Sequence, residues 1–130
     1  MIQYDETRLA MEALTPQIEE LRGALNLDGL QIKVDELEMK STEPNFWDDP
    51  EKAQAVQQQI GQYKNTIENF NRLKTNHDDV LAMIELAEEE NDESAVDEVK
   101  ELADKVKTEF EEQKLCLLYT SPSPRDRSLS

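Results

Sequence analysis

The fold is decided by residues 53–87, which read AQAVQQQIGQYKNTIENFNRLKTNHDDVLAMIELA. Apolar side chains recur in this stretch at steps of three and four residues, and a histidine takes one of their places. Such spacing puts the side chains on one face of an α-helix, as in the heptad seam of a coiled coil. The pattern predicts a long helix whose seam consists of Ala53, Val56, Ile60, Tyr63, Ile67, Phe70, Leu73, His77, Val80, Ile84 and Ala87.

One irregularity interrupts this seam. Two steps of three residues follow each other, from Ile67 to Phe70 and from Phe70 to Leu73. Such a stammer shortens the repeat and predicts that the helix is locally overwound or broken, at about residues 76–79. The acidic residues 88–93 that follow the seam predict a loop.

A shorter seam of the same kind lies near the N-terminus, from Met11 to Leu25. Pro16 falls inside it, which leaves two interpretations. Either Thr15 caps a helix whose first residue is Pro16, or a longer helix from about Asp5 is kinked at the proline.

Two more helices complete the pattern. One is predicted over residues 30–41, after an Asp28-Gly29 pair that favours a turn. The other is predicted to open at Ser94, where Asp97 completes a variant of the capping box, and to reach about Leu115. Its seam is predicted to consist of Val96, Val99, Ala103, Val106 and Phe110. The sequence therefore predicts an all-α fold, an antiparallel bundle of about four long helices with coiled-coil-like seams.

The composition changes abruptly after Leu118. Residues 1–118 are rich in Glu, Lys, Gln and Ala, which favour helices. Residues 119–130 are rich in Ser, Pro and Arg and have no period, which is typical of disorder. We expect one helical domain over residues 1–118 and a disordered, non-native tail over residues 119–130.

The charge balance limits the partners. The chain has 30 acidic against 14 basic residues and a formal net charge of -16. Free DNA binding is not expected, because phosphate contacts need clustered Lys and Arg, and an anionic membrane would also repel the chain. No apolar run is long enough to span a membrane, and no signal peptide is visible. We therefore expect a cytoplasmic protein with a protein partner.

The residues that usually carry chemistry are scarce. His77 is the only histidine and lies on the helical seam, so a packed histidine is a better interpretation than a catalytic one. Cys116 is the only cysteine, which leaves a zinc site without support. The acidic residues 88–93 lack the spacing and the glycine of a calcium loop and fit a solvated loop. We predict no catalytic residue, no cofactor and no metal site.

A short aromatic segment precedes the long helix. Asp49 is predicted to cap that helix, with Pro50 as its first residue. Phe46 and Trp47 lie just ahead of the cap, where two roles are open. Either they form a buried plug at the helix junction, or they present an aromatic anchor to a partner.

Residues 43–56, which read EPNFWDDPEKAQAV, resemble a hallmark of the bacterial peptide chain release factors of the second type. Residues 21–27 resemble the family's Arg-Gly-x-Leu-Asp segment, although Asn26 stands where many members have Asp. Residues 110–118 resemble the segment that closes the family's helical domain. The resemblance covers about residues 4–118, and its motif residues are Phe46, Trp47, Asp49 and Pro50.

The resemblance implies a parent protein that ends translation at UGA and UAA codons on the ribosome. In that family a Ser-Pro-Phe tripeptide helps to read the codon, and a Gly-Gly-Gln loop promotes hydrolysis of peptidyl-tRNA. This chain contains neither sequence, so we expect a helical fragment that is not itself an enzyme. Through its parent it would reach the ribosome's factor-binding region. The alternative is a free-standing acidic coiled coil that self-associates through its seams.

Overall fold

The computed structural model describes residues 2–120, with side chains placed over residues 4–117. Within this range the chain forms helices and no strand, which confirms the all-α prediction. The helices are α1 (Ile2–Leu25), α2 (Leu27–Lys40), α3 (Pro50–Glu89) and α4 (Val96–Thr120), and a single-turn 3-10 helix (Phe46–Asp48) lies between α2 and α3.

The contacts divide the chain into two units. The first contains α1, the part of α3 from Arg72 onward, and α4. The second covers residues 26–71 and contains α2, the 3-10 turn and the first part of α3. Helix α3 therefore packs with α2 over its first part and with α1 and α4 over its second part.

The stammer in α3 lies where these packing partners change. The boundary between the two units follows Asn71, between the seam residues Phe70 and Leu73. The helix continues through this point and through residues 76–79 without interruption, so the broken alternative is wrong and local overwinding stays a prediction.

In the first unit α3 runs antiparallel to both of its neighbours. Arg8 of α1 forms an ion pair with Glu88, near the end of α3. Nδ2 of Asn76 donates to Oε1 of Glu109 in α4 over 3.1 Å. Helices α1 and α4 consequently run parallel to each other. The core side chains of this unit are buried at the predicted seam positions Met11, Leu14, Ile18, Leu21, Leu73, Val80, Ile84, Ala87, Val99, Ala103, Val106 and Phe110.

Helix α1 decides between the two interpretations of Pro16. The helix begins at Ile2 and contains the proline in its interior, so the longer helix is correct and Thr15 is not its N-cap. A proline has no N–H to donate to the carbonyl four residues earlier. The hydroxyl of Thr15 donates to the carbonyl oxygen of Met11 over 3.2 Å in the same turn.

In the second unit α2 packs along the first part of α3. Val34 of α2 and Ile60 of α3 are both buried. Nζ of Lys64 lies 2.7 Å from Oε2 of Glu38, and this ion pair raises the pKa of Lys64. Nζ of Lys33 lies 5.9 Å from the centre of the Tyr63 ring, within cation–π range.

The turn between α1 and α2 lies at Asn26, so the prediction of a turn at Asp28-Gly29 is wrong. Asn26 has φ 56° and ψ 53°, the left-handed conformation that asparagine tolerates better than most residues. Asp28 and Gly29 belong to α2 itself. A Cβ atom at Gly29 would lie 2.3 Å from Nδ2 of Asn26, so the glycine leaves room for the turn side chain.

A Schellman motif ends α3 inside the acidic segment 88–93. Asn91 is left-handed with φ 52°. Its N–H donates to the carbonyl of Glu88 over 3.1 Å, and the N–H of Asp92 donates to the carbonyl of Ala87 over 2.8 Å. The segment is therefore in part helical, with asparagine in the place that glycine usually takes.

The predicted capping box at Ser94 and Asp97 is not formed. Helix α4 begins only at Val96. Oδ1 of Asp92 instead accepts from the N–H of Ser94 at 2.8 Å and from its hydroxyl at 2.6 Å, and these bonds hold the pKa of Asp92 below its ordinary value. Asp92 closes the turn locally, because aspartate side chains often accept a hydrogen bond from the backbone N–H two residues further along the chain.

Helix α4 extends beyond its predicted end at Leu115 and reaches Thr120. Residues 121–130, which make up most of the predicted tail, lie outside the described residues. The division into a domain over residues 1–118 and a tail over residues 119–130 stays a prediction.

Candidate interaction site at the aromatic turn

The segment between α2 and α3 is held by a chain of backbone hydrogen bonds. The N–H of Glu43 donates to the carbonyl of Lys40, and the N–H of Phe46 donates to the carbonyl of Glu43, each over 3.1 Å. The N–H of Asp48 then donates to the carbonyl of Asn45 over 3.1 Å. The resulting aromatic turn, residues 43–49, has a defined backbone despite its exposure.

Phe46 and Trp47 form an aromatic pair in this turn. Their ring centres are 4.8 Å apart and the planes are inclined by 85°, the edge-to-face arrangement that aromatic rings favour. Phe46 is half-buried, whereas 59% of Trp47 is exposed. The predicted plug is therefore wrong for Trp47, because its ring faces solvent at the surface of the turn.

Asp49 forms the predicted cap of α3. Its Oδ1 accepts from the N–H of Lys52 over 3.2 Å, and its carbonyl accepts from the N–H of Ala53 over 2.9 Å. Pro50 occupies the first helical position, where its missing N–H has no intrahelical acceptor in any case. The cap fixes the aromatic pair directly before the first turn of a 40-residue helix.

Removal of this cap tests the local structure. We expect Asp49→Ala to lower the free energy of unfolding by about 1 kcal/mol, because an N–H in the first turn loses its acceptor. The neighbouring Asp48→Ala is the matched control and should change stability by less than about 0.5 kcal/mol. Urea denaturation followed by circular dichroism measures both, and equal effects of the two variants would contradict the assigned cap.

A shallow groove of about 500 Å³ borders the aromatic turn. Its lining combines two apolar side chains with three carboxylates and two ammonium groups, so it suits a segment that brings both apolar and basic groups. The groove is lined by Lys40, Glu43, Asn45, Phe46, Asp48, Asp49, Lys52 and Val56.

His77 is a packed histidine, as was predicted, and is only 2% exposed. Its Nε2 lies 2.7 Å from the carbonyl oxygen of Met11, which can only accept, so this nitrogen donates. The hydroxyl of Thr15 lies 3.2 Å from the same nitrogen. His77 thus ties α3 to the turn of α1 that contains Pro16.

The other ring nitrogen of His77 faces a carboxylate. Nδ1 lies 3.0 Å from Oδ1 of Asp78, which also accepts from Lys74. Partial burial opposes ionisation of Asp78, but the hydrogen bonds with His77 and Lys74 hold the pKa of its carboxyl below the ordinary value. These contacts account for the histidine as a structural group.

Two buried residues, Tyr4 and Thr7, escaped the sequence prediction. Tyr4 is fully buried, and its hydroxyl donates to the carbonyl oxygen of Asp92 over 2.7 Å. Burial raises the pKa of Tyr4, and the negative charge of Asp92 raises it further. The signal was present in the sequence, because Tyr4, Thr7 and Met11 continue the α1 seam upstream at steps of three and four residues.

Two further findings concern residues 2–120. No group of three or more His, Cys, Asp or Glu side chains in this range is arranged to hold a metal ion. None of the helices described here combines the length and apolar character needed to cross a membrane.

Comparison with known proteins places the chain in a family. A model of the PCRF domain matches residues 30–128. Curated proteins named peptide chain release factor 2 are similar over nearly the whole chain: that of an Exiguobacterium species is 31% identical over 121 residues, which are 93% of this chain and 33% of the relative. That of Listeria innocua is 30% identical, covering 95% of this chain and 34% of the relative.

A third relative, peptide chain release factor 2 of Clostridium perfringens, is 38% identical over 112 residues, which are 83% of this chain and 31% of the relative. The chain thus spans about a third of the length of the curated relatives that it matches. These matches confirm the resemblance that the aromatic motif and its flanking segments indicated. The chain belongs to the PCRF domain family.

Proposed function

We propose that this chain is the N-terminal helical domain of a translation termination factor, whose parent directs peptide release at UGA and UAA codons on the ribosome. The match of the PCRF domain model to residues 30–128 is the observation that supports this proposal. The relatives named peptide chain release factor 2 support it as well.

The part of this domain in termination is binding and not catalysis. The sequence contains no Gly-Gly pair, so it has no Gly-Gly-Gln loop, and no Ser-Pro-Phe tripeptide. The domain by itself is therefore not an enzyme in this proposal. Its task is to help hold the parent protein on the ribosome, in the cytoplasm, while other parts of the parent read the codon and release the peptide.

The acidity of the domain indicates which part of the ribosome it meets. With a formal net charge of -16 it is repelled by RNA phosphates unless basic groups lie between. A protein surface of the factor-binding region fits this charge better than ribosomal RNA does.

The proposal is tested with the isolated chain and ribosomes that carry formyl-methionyl-tRNA before a UGA codon. We expect weak co-sedimentation with these ribosomes and no release of formyl-methionine above background. Measurable release would contradict the binding-only role. Complete absence of association, together with a concentration-dependent dimer in solution, would favour a free-standing acidic coiled coil.

A further inference from the structure

The ring of Trp47 is exposed at the aromatic turn. It is the only tryptophan of the chain, and 59% of it is exposed. Tryptophan is enriched among the residues that dominate binding energies at protein interfaces. Among the exposed large apolar side chains of the described residues, Trp47 is therefore the one whose residue type fits a binding anchor best.

The structure fixes the position of this ring before any partner arrives. Phe46 contacts it edge-to-face at 4.8 Å between ring centres. The backbone of the turn is hydrogen-bonded on both sides of the pair, and the Asp49 cap ties the turn to α3. A ring held in this way loses little conformational freedom on binding, which favours affinity.

The charges around the ring select the chemistry of the partner. Glu43, Asp48, Asp49 and Glu51 lie within nine residues and outnumber the two basic residues, Lys40 and Lys52, that line the groove beside the turn. Asp49 is engaged in the helix cap, whereas Glu43, Asp48 and Glu51 are exposed. An exposed indole whose neighbours in the sequence are carboxylates suits a cation, because the ring face and the carboxylates both attract positive charge.

We propose that the aromatic turn is a docking site for a basic protein segment, with an arginine or lysine of that segment on the face of Trp47 and paired with Glu43 or Asp48. The proposal rests on the proposed function, which makes a protein of the ribosome the carrier of this segment. Nucleic acid does not fit the site, since its phosphates would meet the same carboxylates.

The test compares the affinity of variant chains for purified 70S ribosomes, measured by co-sedimentation over a range of ribosome concentrations. We expect Trp47→Ala to weaken binding about tenfold. Trp47→Phe should retain more affinity than Trp47→Leu, because only the former keeps an aromatic face for a cation. The matched control is Leu9→Ala, which removes another exposed apolar side chain from α1 and should leave binding unchanged.

A double variant tests the charges separately. Glu43→Gln with Asp48→Asn should weaken binding and reduce its dependence on salt, while Trp47 stays in place. Unchanged helical circular dichroism checks that each variant is folded. If Trp47→Ala and the double variant both bind ribosomes as tightly as the unaltered chain, the proposed docking site is wrong and the proposed function stays intact.

Two other results are informative. Failure of the unaltered chain to bind ribosomes would overturn the proposed function and this inference with it. Equal affinity of the unaltered chain for protein-free ribosomal RNA and for whole ribosomes would overturn the protein partner, and with it the proposed chemistry of the site.

Discussion

Phe110→Ala is expected to lower the free energy of unfolding by about 3–5 kcal/mol, among the largest effects of a single substitution in this chain. Phe110 is 3% exposed and lies at the last buried position of the α4 seam. Removal of the ring loses the transfer free energy of a large aromatic side chain. It also leaves a cavity that the neighbouring helices fill only in part.

The same helix supplies the control for this substitution. Leu115 lies five residues further along α4 and is 52% exposed. Leu115→Ala should change the free energy of unfolding by less than about 0.5 kcal/mol. Urea denaturation measures both variants, and comparable losses for Phe110→Ala and Leu115→Ala would show that the buried face of α4 is assigned incorrectly.

The second large effect is expected at His77. His77→Ala should cost about 3 kcal/mol, because it opens a cavity and takes from the Met11 carbonyl the donor at 2.7 Å. His77→Leu restores most of the volume without the donor and should cost less, about 1–2 kcal/mol. The difference between the two variants separates packing from hydrogen bonding.

A neighbouring exposed residue serves as the control for His77. Asp79→Ala lies on the same helix and should be nearly neutral, within about 0.5 kcal/mol. Thermal unfolding followed by circular dichroism orders the three variants. A stability of His77→Ala equal to that of Asp79→Ala would contradict the buried position of the histidine.

The helices and their buried faces could be predicted from the sequence because the apolar period is strong. In α1, Met11, Leu14, Ile18 and Leu21 are all buried as the spacing predicts. In α4 the same holds for Val99, Val106 and Phe110. The period reports which side of a helix meets other helices, and this requires no knowledge of which helices those are.

The connections between helices were harder to predict, because several local signals compete there. Asp28-Gly29 is a common turn pair, yet Asn26 takes the left-handed conformation and the pair enters α2. Ser94 with Asp97 resembles a capping box, yet Asp92 accepts the hydrogen bonds of Ser94. In the first case the backbone turns two residues before the expected pair, and in the second a carboxylate two residues earlier accepts the hydrogen bonds.

At the candidate site the sequence predicted the helix cap at Asp49, but it did not predict the exposure of Trp47. The pairing of Asp49 and Pro50 is a local signal, and the structure forms the cap that it predicts. Whether an aromatic ring beside a helix start is buried depends on what packs over it, which neighbouring residues do not reveal. Trp47 is therefore the position where the sequence left two roles open, and the structure shows that its ring is exposed.

The most direct test of the central claim is competition on the ribosome. Ribosomes programmed with a UGA codon are saturated with this chain, and full-length peptide chain release factor 2 from a relative is then added. We expect this chain to be displaced in proportion to the factor bound, because a domain of a termination factor occupies the same place as the complete factor. A chain that stays bound while the full-length factor releases the peptide occupies another place, and this result would contradict the account.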